Sequence, residues 1–93
     1  MNIEKVEGTQ KADIMLYALS TCGWCKKTKQ YLNELGVAYR YTFVDLLSES
    51  EKDKAVTEIT KWNPSCSFPT IVVNNDHCIV GFKPEELKKI AEK

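Results

Sequence analysis

Neither sign of charge is in excess in this 93-residue chain, because 13 basic residues stand against 13 acidic ones. Recognition of nucleic acid or of an acidic membrane surface draws on a summed basic field, so neither is expected as a partner. The richest basic stretch, Lys26-Lys27-Thr28-Lys29, is too short to change that. Nowhere does an apolar run approach the roughly 18 residues needed to cross a bilayer. Met1 to Ala12 is mostly polar and charged and lacks the apolar centre of a signal peptide. A cytoplasmic location is therefore expected, where thiols are kept reduced. Glycine occurs only four times and proline three, with no repeat and no low-complexity linker. A chain of this length supports one domain with a single modest core, and a monomer is expected. The division read here is a polar N-terminal arm over 1–12 and one domain over 13–93.

What the chain does contain is a regular succession of apolar patterns. The nearly continuous run Ile14-Met15-Leu16-Tyr17-Ala18-Leu19 fits a strand buried on both faces. After the break at Ser20-Thr21-Cys22-Gly23, the spacing of Trp24, Thr28, Tyr31, Leu32 and Leu35 predicts one face of a helix that stops at Gly36. Val37 to Asp45 is rich in strand-forming residues. Ser48-Glu49-Ser50-Glu51 has capping-box spacing and opens a second helix with Ala55, Val56, Ile59 and Trp62 inward, ended by Asn63-Pro64. Thr70 to Val73 and Cys78 to Val80 form a hairpin about Asn74-Asn75-Asp76. Pro84 opens a last helix, with Glu85 and Glu86 early, Lys88 and Lys89 late, and Leu87, Ile90 and Ala91 facing inward. The order β-α-β-α-β-β-α begins with a parallel pair joined by a right-handed crossover. An α/β fold with a four-stranded mixed sheet flanked by three helices is expected.

The chemistry is concentrated at the junction of the first strand and first helix of that series. Cys22-Gly23-Trp24-Cys25 lies there. The thiolate is the reacting form of cysteine, and the unpaired amides and positive dipole end of a helix N-terminus stabilise a negative sulfur. Cys22, the more N-terminal, is the expected nucleophile, and Cys25, one turn inward, the expected resolving thiol. Trp24 offers an apolar rim for substrate. In a reduced compartment the alternative use of such a pair is metal binding, but a zinc site needs a second close ligand pair. Cys66, His77 and Cys78 do not form one, so no metal site is assigned. A secreted chain would turn the four cysteines into two structural bridges, which the polar N-terminus argues against.

With this strand, the Cys22-Gly23-Trp24-Cys25 pair, the helix, Ser67-Phe68-Pro69-Thr70, the hairpin and Gly81-Phe82 in hand, the chain resembles the glutaredoxin-like branch of the thioredoxin superfamily from about Asp13 onward. The resemblance implies a thioredoxin-like fold and a thiol–disulfide oxidoreductase that reduces protein or glutathione mixed disulfides. It implies a cis bond before Pro69 and a Phe68 main chain that pairs with substrate. The substrate-binding set implied is Thr21, Trp24, Phe68, Pro69, Thr70, Gly81 and Phe82. Glutathione-using members usually carry lysine where this chain has Leu19, and Thr-Val where it has Ser67-Phe68. Gly81-Phe82-Lys83-Pro84 instead looks like the ending of redoxins recharged by thioredoxin reductase. The implied electron source is thus glutathione or a thioredoxin reductase, with disulfide-containing proteins as partners and no bound cofactor. A glycine after the first cysteine also occurs in glutaredoxins that hold an iron–sulfur cluster, which is the alternative reading. Cys66, three residues before Pro69, falls near the active sulfurs if the resemblance holds. Cys78 and His77 read as packing and solvated surface, and Asp45 as a residue that turns the chain.

Overall fold

The computed structural model describes residues 3–92. The central elements are β2 (Ile14–Ala18), α1 (Gly23–Leu35), β3 (Tyr39–Phe43), α2 (Glu49–Trp62) and β4 (Thr70–Val73). A short strand β1 (Glu4–Val6) precedes them; β5 (His77–Val80) and α3 (Pro84–Ala91) follow. The sheet order is β1-β3-β2-β4-β5, with β2 and β3 parallel and every other pair antiparallel. This is the expected α/β fold with three helices.

All five residues of β2 are buried, because helices cover both faces of the sheet. Its side chains alternate between two apolar layers. Ile14, Leu16 and Ala18 join Leu32, Ile71, Val73, Leu87 and Ile90 on the side of α1 and α3. Met15 and Tyr17 join Val44, Ala55, Ile59 and Val72 on the side of α2. The capping serine behaves as its spacing predicts, with Ser48 Oγ accepting the Glu51 N–H at 3.4 Å. Gly36 ends α1 with φ of 71°, a left-handed geometry that costs glycine little. The hairpin turn takes the same region at Asn74 and Asn75, closed by Asp76 N–H donating to Val73 O at 3.1 Å.

Three differences from the sequence reading have identifiable causes. The sheet has five strands rather than four, since the N-terminal arm supplies β1 at its edge, paired as Glu4↔Tyr41, Lys5↔Arg40 and Val6↔Tyr39. Only Val6 of that strand packs on the core, and main-chain pairing leaves no hydropathy period to read. The third strand ends at Phe43 instead of Asp45, and Val44–Leu46 forms a 3-10 turn. Val56, read as part of the buried stripe of α2, is 37% exposed, because the inward residues of that helix are Ala55 and Ile59. No helix among the described residues is long and apolar enough to cross a membrane.

Candidate active site

The nucleophile position is fixed by the way the chain leaves β2 and enters α1. Cys22 is the N-cap of α1, in extended geometry with φ of −88° and ψ of 119°. Its Sγ accepts the Cys25 N–H at 3.2 Å, and its carbonyl accepts Lys26 N–H at 3.1 Å. The sulfur therefore does the work of the serine or aspartate oxygen found at most helix starts, and takes up one of the unpaired amides there. Upstream, Cys22 N–H donates to Leu19 O at 3.2 Å, closing a turn over Leu19, Ser20 and the exposed Thr21. Asp45 holds that turn from across the parallel pair. Its carboxylate accepts the Ser20 N–H at 2.9 Å and the Ser20 hydroxyl, and these bonds keep its carboxyl below the usual carboxylate range. Asp45 lies in the 3-10 turn that follows the strand end at Phe43.

Cys25 faces the opposite way. It is 1% exposed, packed with Leu16, Ala18 and Leu32. Its thiol is pushed up to about 12, first by burial and then by the hydrogen bond to Cys22, with a Leu19 main-chain bond pulling the other way and the charges of Cys22 and Asp45 adding to the rise. All four cysteines are free thiols. One sulfur thus sits half-buried at the helix end and its partner is sealed one turn inward.

The second wall is the loop before β4. The Phe68–Pro69 peptide is cis, as the resemblance implied. Phe68 and Cys22 both pack on the cluster formed under α1. Pro69 is buried and its carbonyl accepts Gly81 N–H at 2.9 Å, which brings the end of β5 beside the loop. Gly81, with φ of 84°, then turns the chain so that Phe82 meets α1. The Phe82 ring stacks on Trp24 at 6.1 Å and meets the edge of Tyr31 at 6.0 Å, while Lys27 Nζ lies 5.0 Å above the Trp24 ring. The structure therefore gathers Trp24, Gly81, Phe82, Phe68 and Pro69 around the cysteine turn. Thr70 differs: it is fully buried, and its hydroxyl donates to Ser67 O at 2.7 Å. Any influence it has on a substrate passes through the loop.

Two further residues bear on the site. Asp45 was read only as a turn residue, and the sequence holds no sign of its partner Ser20, 25 positions away. Asn63, read as a helix stop, is buried, and its side chain braces the Ser67 to Thr70 loop. Cys66 is half-buried on this loop with φ of 50° and, like Leu19 and Phe68, packs on the apolar layer on the α2 side. Cys78 is half-buried and its thiol donates to Trp62 O at 3.2 Å; His77 is exposed. Among the described residues, no three His, Cys, Asp or Glu side chains cluster closely enough to hold a metal ion. Cavities of about 300 and 250 Å³ lie where the arm and Arg40 meet the sheet, neither lined by a cysteine. Thiol exchange needs an accessible sulfur rather than an enclosed cavity, so the cysteine turn is the stronger candidate.

The family model described as Glutaredoxin matches residues 14–78. The chain is 46% identical to the solved methanoredoxin of Methanosarcina acetivorans, covering 92% of this chain and 90% of that one with a TM-score of 0.89. It is 43% identical to a glutaredoxin structure from Methanosarcina mazei Go1, covering 98% and 88%, with a TM-score of 0.90. An uncharacterized glutaredoxin-like 8.6 kDa protein in the rubredoxin operon of Clostridium pasteurianum is 34% identical over 80 residues, 86% of this chain and 99% of its own.

Proposed function

The chain belongs to the glutaredoxin family, and from that premise we propose that it is a dithiol oxidoreductase that reduces protein or glutathione mixed disulfides through Cys22 and Cys25. In the first step the Cys22 thiolate attacks one sulfur of a substrate disulfide. A Cys22–substrate disulfide forms, the substrate's own S–S bond breaks, and the other half leaves as a thiolate that takes a proton from solvent. Cys25 then loses its proton and attacks Cys22 Sγ. The remaining half of the substrate departs as a thiol, leaving a Cys22–Cys25 disulfide and a substrate reduced by two electrons. Two electrons from glutathione or from a thioredoxin reductase restore the dithiol.

The observation that carries this reading is the division of labour between the sulfurs. Cys22 Sγ accepts an amide hydrogen bond at the start of α1, whereas Cys25 is buried with its thiol pushed up to about 12. Burial keeps Cys25 protonated while Cys22 is free. Once Cys22 is tied up in a mixed disulfide, its charge and its acceptor role are lost, and two of the causes that raise Cys25 go with them. Burial, the first cause, stays, so the mixed disulfide eases ionisation of the resolving thiol in part. Leu19, Ser67-Phe68 and the stacked Phe82 favour a protein reductase over glutathione as the electron source, because each departs from the glutathione-using pattern.

The test is to follow disulfide reduction by the wild type, Cys22→Ser and Cys25→Ser, then to offer the oxidised protein NADPH with thioredoxin reductase or with the glutathione system. Cys22→Ser is expected to fall to the background rate, and Cys25→Ser to accumulate a mixed disulfide visible by mass. Full turnover by Cys22→Ser would refute the assignment.

A further inference from the structure

A cavity of about 250 Å³ is bounded by α2 and the sheet, and no residue of the cysteine turn lines it. Its floor follows from strand register. Arg40, Met15 and Val72 are direct neighbours on β3, β2 and β4, so their side chains share one face of the sheet. Tyr17, two positions on from Met15, lies on that same face. Glu58 and Trp62 stand four positions apart on α2 and therefore on one side of the helix.

Two aromatic residues of this lining carry polar tips with nothing to bond. Tyr17 is 8% exposed, its ring packed in the layer with Val44, Ala55 and Ile59. Neither its hydroxyl nor the indole N–H of half-buried Trp62 has a hydrogen-bond partner among the described residues. Buried tyrosine and tryptophan ordinarily bond these tips. No sealed side-chain nitrogen or oxygen among the described residues lacks a partner, so the Tyr17 hydroxyl opens into the cavity its residue lines. Its ionisation is pushed up first by burial and then by the Glu58 charge, with Arg40 pulling the other way. The hydroxyl is thus within electrostatic reach of both charges and stays a donor at neutral pH.

Those two charges keep unused groups. One guanidinium nitrogen of Arg40 donates to Asp13 Oδ1 at 2.7 Å, and Lys61 Nζ donates to Glu58 Oε1 at 2.9 Å. The other N–H groups of Arg40 and the second oxygen of Glu58 have no partner among the described residues. A carboxylate matches the Arg40, Tyr17 and Trp62 donors, an ammonium matches Glu58, and an apolar side chain covers Met15 and Val72. At about 30 Å³ for each water-sized group, the volume admits on the order of eight, which suits a small molecule. We propose that this cavity binds a small zwitterion, an apolar α-amino acid of about leucine's size, with its carboxylate toward Arg40 and its ammonium toward Glu58. This is a second site, separate from the thiol chemistry.

The experiment titrates the reduced, isotope-labelled protein with leucine and follows the Trp62 indole N–H resonance, assigned by its loss in Trp62→Phe. That resonance should shift and saturate with a Kd of about 1 mM or tighter, while the Trp24 indole stays put. Leucinamide and N-acetyl-leucine, each lacking one charge, should bind at least about tenfold more weakly. Glycine, with both charges and no side chain, should also lose at least about tenfold. Arg40→Gln and Glu58→Gln should each weaken leucine about tenfold or more, and Tyr17→Phe, which keeps the buried ring, about fivefold. Leucinamide should bind Arg40→Gln as it binds the wild type, because the contact removed is already missing. No saturation by about 10 mM leucine would overturn the inference. So would glycine, or both blocked derivatives, binding as tightly as leucine, or unchanged leucine affinity in folded Arg40→Gln and Glu58→Gln. The ligand series uses the wild type alone, so it decides the matter even where a variant fails to fold.

Discussion

Raising the pH while following each thiol separately exposes the asymmetry between Cys22 and Cys25. Cys25 is sealed among Leu16, Ala18 and Leu32 and its thiol is pushed up to about 12, with burial as the first cause. At pH 7 that leaves on the order of one Cys25 in 10^5 as thiolate, against roughly one in thirty for an ordinary thiol titrating near 8.5. In the reduced protein treated with iodoacetamide, peptide mapping should find Cys25 modified at least about a thousandfold more slowly than in urea, since alkylation follows the thiolate fraction. Its rate should climb tenfold per pH unit from 7 to 10 without levelling off. Cys22→Ala removes a hydrogen bond and a neighbouring charge but not the burial, so Cys25 should gain only about five- to tenfold. The same shift has a stability consequence with a definite sign. The folded thiol titrates above its unfolded value, so its contribution is complete below about pH 8.5 and erodes as pH rises toward 12. The erosion approaches about 1.4 kcal/mol per pH unit. Urea denaturation at pH 8, 9 and 10 should show this slope in the wild type and lose it in Cys25→Ala. Above pH 10 buried Tyr39, pushed up to about 12, adds to the slope in both proteins. Alkylation of Cys25 in the folded protein at the urea rate would refute the reasoning.

Other expectations follow from single features. A Cβ at Gly8 would lie 2.6 Å from Gly36 O and 2.7 Å from the Val37 carbonyl carbon, both main-chain atoms. Gly8→Ala should therefore release the arm, seen as faster hydrogen exchange at Thr9 and Ala38, at a cost of about 1–3 kcal/mol and with turnover unchanged. Asp45 is exposed, so Asp45→Asn should cost under about 1 kcal/mol at pH 7 by urea titration. Because its carboxyl is held low by Ser20, the wild-type advantage should persist at neutral pH and vanish only as pH falls below the usual carboxylate range; a difference that grows with acid would contradict this. Leu16 is fully buried in the central strand, and Leu16→Ala should lose about 2–5 kcal/mol in a thermal or urea melt.

Much of the molecule was legible because its cues are local. The both-sided burial of Ile14 to Ala18, the serine cap of α2, the left-handed Gly36 and the asparagine turn each depend on residues within a few positions. The same holds for Cys22 and Cys25, since a strand ending where a helix begins is itself a sequence pattern. Val56 shows the limit: its spacing fits the inward stripe of α2, yet packing gives the buried positions to Ala55 and Ile59 and leaves it exposed. Thr70 fits the substrate-binding pattern by its place after Pro69, yet its hydroxyl is spent on Ser67.

By itself the amino-acid order determined the alternation of strands and helices, the two-sided central strand and the seating of a cysteine at a helix start, because hydropathy period, capping and turn chemistry act over one or two turns of chain. Tertiary structure alone decided that the arm closes the sheet edge, that Asp45 grips Ser20 and that Asn63 braces the loop before β4. Edge pairing uses main-chain groups common to every residue. A polar side chain, likewise, carries no mark of which distant partner it will meet.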